Sequence, residues 1–283
     1  MPSSCPRKPD LPARARRFGC GLATTLLLSL AALGAPLASA APPSTQVAWV
    51  PAAAPADVER AFARARSEGK PLLLYWGATW CPPCNQLKAT LFNRQDFAAL
   101  SRSFVAVHVD GDRPGAQKLG QQFKVAGYPT LVLLRPDGRE ITRLPGEAEA
   151  AQVMELLRLA LAGGRPAGEV LQDARTGGRL AAAEWRMLAF YSWETDDEQL
   201  LADADAAGVL AELAIAASAS GSTASADTVA RLWLRALAES DEGKDLKADE
   251  ALRARVRALL ADAAQSRALA DVIVNGAPAM VRA

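Results

Sequence analysis

Helix-like and strand-like hydrophobic patterns alternate along the middle of the chain. The helical segments repeat apolar residues every three or four positions, whereas the strand segments are short apolar runs. The predicted order is helix, strand, helix, strand, helix, strand, strand, helix, over residues 57–68, 71–77, 82–92, 104–110, 113–123, 130–134, 139–143 and 147–162. Helices that alternate with early strands and end in a late hairpin predict a mixed sheet covered on both faces.

The pattern changes after a break at Gly163-Gly164. The rest of the chain is rich in Ala and Leu and has few β-branched runs, which favours helices. Helical patterns lie near residues 181–191, 200–217, 226–238 and 249–270. We therefore predict an α/β domain over residues 56–163, followed by an α-helical domain over residues 165–283. The aromatic cluster at 184–193 is either core of that second domain or a docking face.

The first 40 residues combine a basic beginning with an apolar run. Five basic residues and one acidic residue precede the stretch at 21–40, which ends in Ala38-Ser39-Ala40. This arrangement is typical of a secretory signal peptide. We predict cleavage near Ala40 and a periplasmic or otherwise exported protein. The alternative is an N-terminal membrane anchor with the protein facing the periplasm, because the apolar run is nearly long enough to span a bilayer. Residues 41–55, rich in Pro and Ala, are predicted to be a linker.

Composition and charge narrow the possible partners. Half of the 283 residues are hydrophobic, enough for a buried core, and the formal net charge is +1. Without the predicted signal peptide, 27 basic residues stand against 30 acidic ones, so nucleic acid is not a predicted partner. Cys5 and Cys20 would leave with the signal peptide, and the exported chain would keep only Cys81 and Cys84. In an oxidising compartment such a pair can form a disulfide.

The sequence Cys81-Pro82-Pro83-Cys84 allows a metal site, a structural disulfide or a redox pair. Structural zinc takes about four ligands. The chain has a single histidine, His108, and no second cysteine pair, so no metal is predicted. A structural disulfide that closes so short a loop would contribute about 2 kcal/mol, against about 4.7 kcal/mol for a 100-residue loop. A disulfide placed only for stability is therefore the weaker alternative.

The redox interpretation follows from the predicted local geometry. A strand leads to Cys81 at the start of a helix, where free N–H groups and the helix dipole stabilise a thiolate. Cys84 lies one turn further on, close enough to attack a mixed disulfide at Cys81. Pro82 and Pro83 stiffen the turn and should hold the two sulfur atoms close together. His108 lies in a Val-rich strand without an acid–base pattern, so we do not assign it a catalytic role.

Three segments carry a resemblance to a known family: "YWGATWCPPC", "VAGYPTLVLL" and "REITRLPGE". Over about residues 56–163 the chain resembles the thioredoxin-fold thiol–disulfide oxidoreductases. More narrowly, it is similar to exported thioredoxin-like proteins, including the reductant-delivering domains of bacterial envelope systems. The resemblance does not extend to residues 165–283.

The resemblance implies a site and a mode of substrate binding. Pro129 should follow a cis peptide bond and face the cysteines, and an extended peptide should pair with the backbone beside it. Tyr128 should tune recognition, with Trp80 and Trp76 in the apolar surroundings. Plain core packing is the alternative for Trp76, as it is for Tyr75. No cofactor is implied. The partners would be protein thiols or disulfides and a membrane protein that renews the dithiol.

Three positions depart from the family pattern. Tyr75 stands where many thioredoxins carry a buried Asp that takes part in proton transfer, and Ala106 stands where they carry the accompanying Lys. Losing both is consistent, because either charge alone would be costly to bury. Ala89 replaces a proline that kinks the helix, so a straighter helix is expected.

The predicted function is reduction of disulfides in envelope proteins by exchange through Cys81 and Cys84. The resemblance of the Cys-Pro-Pro-Cys motif to reductive, cytochrome-maturation-type relatives favours this direction. One alternative is an oxidase or isomerase of exported proteins, because sequence does not set the reduction potential. Another is a redox-sensing binding or holdase module that uses the helical tail.

Overall fold

The structure is a computed structural model. It describes residues 46–125, 127–145, 149–193, 200–201, 205–240 and 250–282. The predicted signal peptide and the first residues of the predicted linker lie outside this part of the chain.

A five-stranded mixed sheet forms the centre of the α/β region. The strands are β1 (Val50–Ala52), β2 (Leu72–Gly77), β3 (Val105–Asp110), β4 (Thr130–Leu134) and β5 (Glu140–Pro145). Their order across the sheet is β1-β3-β2-β4-β5. The first three strands are parallel to each other, β4 is antiparallel to β2, and β5 is antiparallel to β4. The predicted mixed sheet is confirmed.

Strand β1 lies in the segment predicted to be a linker, so that part of the linker prediction is wrong. It pairs in parallel with β3, with Val50 opposite Val107 and Ala52 opposite Val109. The strand has only three residues and contains Pro51, which cannot donate a ladder hydrogen bond and is tolerated at a sheet edge. Such a segment has neither the length nor the alternation from which a strand is predicted.

Helices cover both faces of the sheet. They are α1 (Pro55–Glu68), α2 (Pro82–Leu87), α3 (Gln95–Leu100), α4 (Ala116–Gln122) and α5 (Ala150–Leu161). Alternate side chains of β2 enter two apolar clusters: Leu73 and Tyr75 belong to one, and Leu72, Leu74 and Trp76 to the other. The first cluster includes residues of α2, α3 and α5, and the second includes residues of α1 and α4. Burial on both faces explains why β2 is apolar throughout.

The helix predicted over residues 82–92 changes its geometry half-way. After α2 the chain continues as a π-helical turn, Lys88–Phe92. This turn seats Leu91 and Phe92 in the apolar core, where they are 0% and 7% exposed. The regular hydrogen-bond ladder is interrupted at this turn, next to Ala89, where the sequence predicted a straighter helix.

All the regular secondary structure in the described part of the C-terminal region is helical. Its helices are α6 (Ala167–Arg175), α7 (Ala182–Phe190), α8 (Ala206–Ala219), α9 (Ala226–Ser240), α10 (Glu250–Ala261), α11 (Ala263–Ala268), α12 (Ala270–Asn275) and α13 (Ala277–Arg282). The predicted helix over 249–270 is divided at Asp262, whose carboxylate accepts hydrogen bonds from the N–H groups of Ala264 and Gln265. An Asp at this position begins a new helix.

The apolar core continues from the sheet into the helical region. Leu131 and Leu133 of β4 belong to the same cluster as Trp185 and Leu188 of α7. Helices α6 and α7 both pack on β5. The boundary predicted near Gly164 is thus a change of secondary-structure class within one compact unit rather than a gap in the core.

Within the described residues, every helix is too short or too polar to serve as a membrane span.

Candidate active site

Cys81 and Cys84 form a disulfide at the start of α2. Strand β2 ends at Gly77, and Cys81 is the residue that caps α2. The two Cα atoms are 5.2 Å apart, and the N–H of Cys84 donates a hydrogen bond of 3.2 Å to Sγ of Cys81. Cys81 is 3% exposed and Cys84 is fully buried. A strand thus leads to the first cysteine and a helix carries the second, as predicted.

The two prolines limit the hydrogen bonds that the helix start can give to Cys81. Pro82 and Pro83 occupy the first two helical positions, and neither has a backbone N–H group. The N–H of Cys84 is therefore the first amide of α2, and it is directed at the Cys81 sulfur atom. The next amide, that of Asn85, donates to the carbonyl of Cys81 at 3.1 Å instead.

The segment before β4 brings Tyr128 to the cysteines. The Tyr128–Pro129 peptide bond is cis, as the family resemblance implied for this position. Pro129 is buried, whereas Tyr128 is half-buried and packs against the small apolar cluster of Ala78, Cys81 and Cys84.

Trp80 is the exposed member of the site. Its side chain is 65% exposed, and its ring lies 6.0 Å from the Tyr128 ring in an edge-to-face arrangement. Its Nε1–H donates a 2.9 Å hydrogen bond to Oδ1 of Asp112. The structure thus brings Trp80 and Tyr128 together beside the cysteine pair. Trp76 lies in the apolar cluster between the sheet and helices α1 and α4, as the alternative of core packing predicted.

Gly111 and Asp112, which follow β3, contact Tyr128 and Trp80, respectively. Neither was predicted as a site residue. A Cβ atom on Gly111 would lie 2.1 Å from Oη of Tyr128. The absence of a side chain at Gly111 therefore allows the Tyr128 ring to rest on the backbone of this loop. The sequence signal was the "GD" pair directly after a buried strand, a place where binding residues often lie.

Tyr75 and His108 lie side by side on the sheet face that α2 covers. Their rings stack with centroids 4.8 Å apart, and Trp49 lies 5.7 Å from Tyr75. Burial raises the pKa of Tyr75 to about 12. Burial, and secondarily the charge of Lys88, lowers the pKa of His108. Both groups are therefore neutral at pH 7. They line a cavity of about 630 Å³.

The described residues contain no group of three or more His, Cys, Asp or Glu side chains that could hold a metal ion.

Comparisons with known proteins agree with this geometry. The model of the thioredoxin-like domain matches residues 58–161. A thioredoxin-like protein of Synechocystis, slr0233, is 32% identical over 90 residues, which are 32% of this chain and 81% of that protein. The chain belongs to the thioredoxin-like family. The predicted family and the thioredoxin fold are both confirmed.

Two further similarities concern parts of the chain. The thiol:disulfide interchange protein DsbD 1 of Pseudomonas aeruginosa is 32% identical over 129 residues, which are 44% of this chain and 22% of that protein. This thioredoxin-like chain therefore spans about a fifth of that relative's length. The solution structure of a thioredoxin from Thermus thermophilus is 30% identical and covers 39% of this chain and 83% of its own, with a TM-score of 0.35.

The contact between Gly111 and Tyr128 generates a first prediction. In Gly111→Ala the new methyl group must displace the Tyr128 ring, and such overpacking costs about 1–3 kcal/mol of unfolding free energy. Gly127→Ala is the matched control, because a Cβ there meets nothing within 4 Å. Urea denaturation of the oxidised proteins measures both. Equal stabilities of the two variants would contradict the tight contact.

Tyr75 generates a second prediction, because its buried hydroxyl has no hydrogen-bond partner among the described residues. An unpaired buried polar group costs about 1–3 kcal/mol, so Tyr75→Phe should leave the unfolding free energy at pH 7 unchanged or raise it. A loss of more than 1 kcal/mol would show that the hydroxyl has a partner.

The pH dependence of the same variant follows from linkage. The pKa of Tyr75 is raised in the folded state to about 12, above the value of about 10 in an unfolded chain. Its contribution to stability is therefore present below pH 10 and is lost as the pH rises towards 12. In Tyr75→Phe the loss of stability over this range should be smaller, as measured by urea midpoints at several pH values.

Proposed function

We propose that the protein reduces disulfides of exported proteins by dithiol exchange through Cys81 and Cys84. The observation that carries the proposal is the cysteine pair at the start of α2, with the Cys84 amide directed at the Cys81 sulfur atom. Tyr128 packs against that pair. Similarity to proteins named thiol:disulfide interchange proteins supports the same chemistry.

The exchange proceeds in two steps. The Cys81 thiolate attacks one sulfur atom of the substrate disulfide, a Cys81–substrate disulfide forms, and the other substrate sulfur leaves as a thiolate. Cys84 then loses its proton and attacks the Cys81 sulfur atom, which releases the second substrate thiolate. The substrate gains two electrons, and its two thiolates take up the proton of Cys84 and, from solvent, the proton that Cys81 released when it ionised. The pair becomes the disulfide seen in the structure.

The Cys84 proton does not need a side chain of the protein as its acceptor. Tyr75, which replaces the family's Asp, holds its own proton at pH 7 because its pKa is raised to about 12. The substrate thiolate released in the first step is a base that forms beside Cys84 at the moment when its proton must leave. We assign the transfer to that thiolate or to solvent.

Trp80, Tyr128 and Pro129 form the substrate-binding surface in this proposal. A segment that lies extended beside Pro129 would receive backbone hydrogen bonds, the mode in which a peptide adds to a sheet edge. The exposed Trp80 ring, fixed by Asp112, would cover one side of that segment. Backbone binding would make the site tolerant of many protein substrates.

The two prolines support the reductive direction. The more hydrogen bonds a thiolate receives, the more stable the reduced state becomes and the more strongly the protein acts as an oxidant. Here the first two helical positions have no N–H group to offer to Cys81. A weakly stabilised thiolate favours a low reduction potential, and with it donation of electrons to substrates.

In this proposal the activity lies in the envelope, either after signal cleavage near Ala40 or on an N-terminal membrane anchor that faces the periplasm. Each turnover oxidises the pair, so a dithiol must renew it. A membrane protein that carries electrons across the bilayer is the partner that this location requires.

Insulin reduction and trapping of mixed disulfides test the proposed function. Cys84→Ser should stop the reaction at the mixed disulfide and accumulate covalent adducts with exported proteins, whereas Cys81→Ser should form none and lose activity. Insulin reduction by wild type no faster than by Cys81→Ser would overturn the proposal and favour the holdase alternative. A reduction potential near −120 mV, against about −270 mV for thioredoxin, would favour an oxidase.

The reduction potential of two proline variants tests the argument on direction. An N-terminal capping group accepts from the second or third helical amide, so Pro83→Ala supplies Cys81 with one more donor. A hydrogen bond to a charged group contributes about 1.5–3 kcal/mol, which corresponds to a rise of about 30–60 mV for this two-electron couple.

Pro82→Ala is the matched control, because its amide lies at the first helical position. Redox titration against glutathione measures both variants. Equal shifts would assign the effect to the stiffness of the turn instead of the number of donors.

A further inference from the structure

Arg143 of β5 is a fully buried cation close to the end of α4. Its Nη1 donates to the carbonyl of Lys124 at 2.6 Å, and its Nη2 donates to the carbonyl of Phe123 at 2.7 Å. The side chain is 0% exposed. The last carbonyls of a helix have no partner within the helix, and Arg143 occupies the position from which a cation satisfies them.

Glu140 also binds Arg143 and connects it to the helical region. Its carboxylate accepts from both Nε and Nη2 of Arg143, at 3.1 and 3.0 Å. The same carboxylate accepts a 2.8 Å hydrogen bond from the hydroxyl of Tyr191, which follows α7 and is 1% exposed. One carboxylate therefore joins a strand of the sheet to the C-terminal helices.

The chain after α7 also pairs with the outer edge of β5. The N–H of Ser192 donates to the carbonyl of Arg143 at 2.9 Å. From α9, Nη1 of Arg235 donates to the carbonyls of Ala189 and Tyr191, at 3.2 and 2.6 Å. The Tyr191 ring packs on Trp193 and its carbonyl accepts from Arg235 of α9, whereas its hydroxyl donates to Glu140 of β5. Tyr191 is therefore a contact that links the helical region to β5.

The two carbonyls that Arg143 holds belong to the segment that leads to the substrate-binding surface. Lys124 has a positive φ of 51°, a conformation that costs energy in a residue other than glycine. Such a conformation persists when its surroundings fix it, and the hydrogen bond from Arg143 does so. Tyr128 follows four residues later, where its ring meets Trp80 and the cysteine pair.

We propose that the C-terminal helical region positions the substrate-binding segment before β4 through Tyr191, Glu140 and Arg143. These three are positioning residues, because none of them touches the cysteines. The proposal deepens the proposed function and rests on it for its kinetic consequence alone. It gives residues 165–282 a role in presenting Tyr128 and Pro129 to a protein substrate.

If these contacts only hold the helices on the sheet, their loss should lower stability without a specific effect on the segment before β4. Removal of one partner of a buried ion pair is strongly destabilising, so a change at Arg143 or Glu140 could unfold the protein and would not separate the two roles. Tyr191→Phe removes one hydroxyl and keeps the ring, which lies 4.8 Å from that of Trp193.

The control is a variant of similar stability outside this chain of contacts. Val209→Ala, in α8, removes buried methyl groups from the helical core at a residue that is 2% exposed. Thermal unfolding of both variants verifies that the losses of stability are comparable. Any effect common to both then reflects general loosening of the helical region.

The first measurement is amide hydrogen exchange in the folded protein. In Tyr191→Phe the peptide that contains Tyr128 and Thr130 should exchange about tenfold faster, because the loss of one hydrogen bond makes local opening about tenfold more frequent. Val209→Ala should leave that peptide at the wild-type rate. Unchanged exchange in Tyr191→Phe, or equal acceleration in Val209→Ala, overturns the proposal.

The second measurement separates this proposal from the proposed function. With insulin as substrate, Tyr191→Phe should raise KM several-fold, while its rate with hydroxyethyl disulfide, which is too small to span the binding surface, stays at the wild-type value. An unchanged KM beside accelerated exchange overturns the link to substrate binding. Lack of insulin reduction by wild type defeats the proposed function, and the exchange experiment still decides whether the loop is positioned.

Discussion

The burial of strand β2 on both faces and both edges is the constraint on which the site depends. All six of its residues are buried, and it lies between β3 and β4. Its antiparallel register with β4 places Trp76 opposite Thr130, so the end of β2 and the beginning of β4 meet at one edge of the sheet. Cys81 follows the first and Pro129 precedes the second. The pairing of the two central strands therefore brings Tyr128, which precedes Pro129, against Cys81 and Cys84.

The central strands were predictable because the same burial appears in the sequence as continuous apolar runs. The cysteine motif could be placed on a strand–helix junction for the same reason, and the cis bond before Pro129 came from a family resemblance and not from local physics. Strand β1 could not be predicted, since three residues with a proline carry no periodicity. Gly111 and Asp112 gain their roles only from contacts with Tyr128 and Trp80, which depend on the folded arrangement of three separate loops.

Arg143 shows how a tertiary contact can override a simple sequence rule. The run "REITR" has one apolar residue among four polar ones, and arginine is among the residues that are least often buried. The structure buries it completely, because Glu140 lies three residues earlier and two helix-terminal carbonyls lie within reach. The compensating groups come from β5, from α4 and, through Tyr191, from the helical region. Only the assembled fold contains all of them, and the helical region is consequently part of the environment of the sheet.

The replacement of the family's acid by Tyr75 shifts the site toward a neutral interior. A buried carboxylate requires a partner, and the accompanying Lys position holds Ala106, so retention of the acid alone would leave an uncompensated charge. The tyrosine fills that space with a ring stacked on His108 and packed on Trp49 and Phe92. Its raised pKa keeps it protonated throughout the physiological range. The surroundings of the cysteine pair therefore contribute hydrogen bonds and apolar contacts, while the proton transfers of the proposed exchange fall to the sulfur atoms themselves and to solvent. Such a site would depend more on how well the substrate is seated than on a protein base, which is the reason that the position of the Tyr128 segment matters for the chemistry.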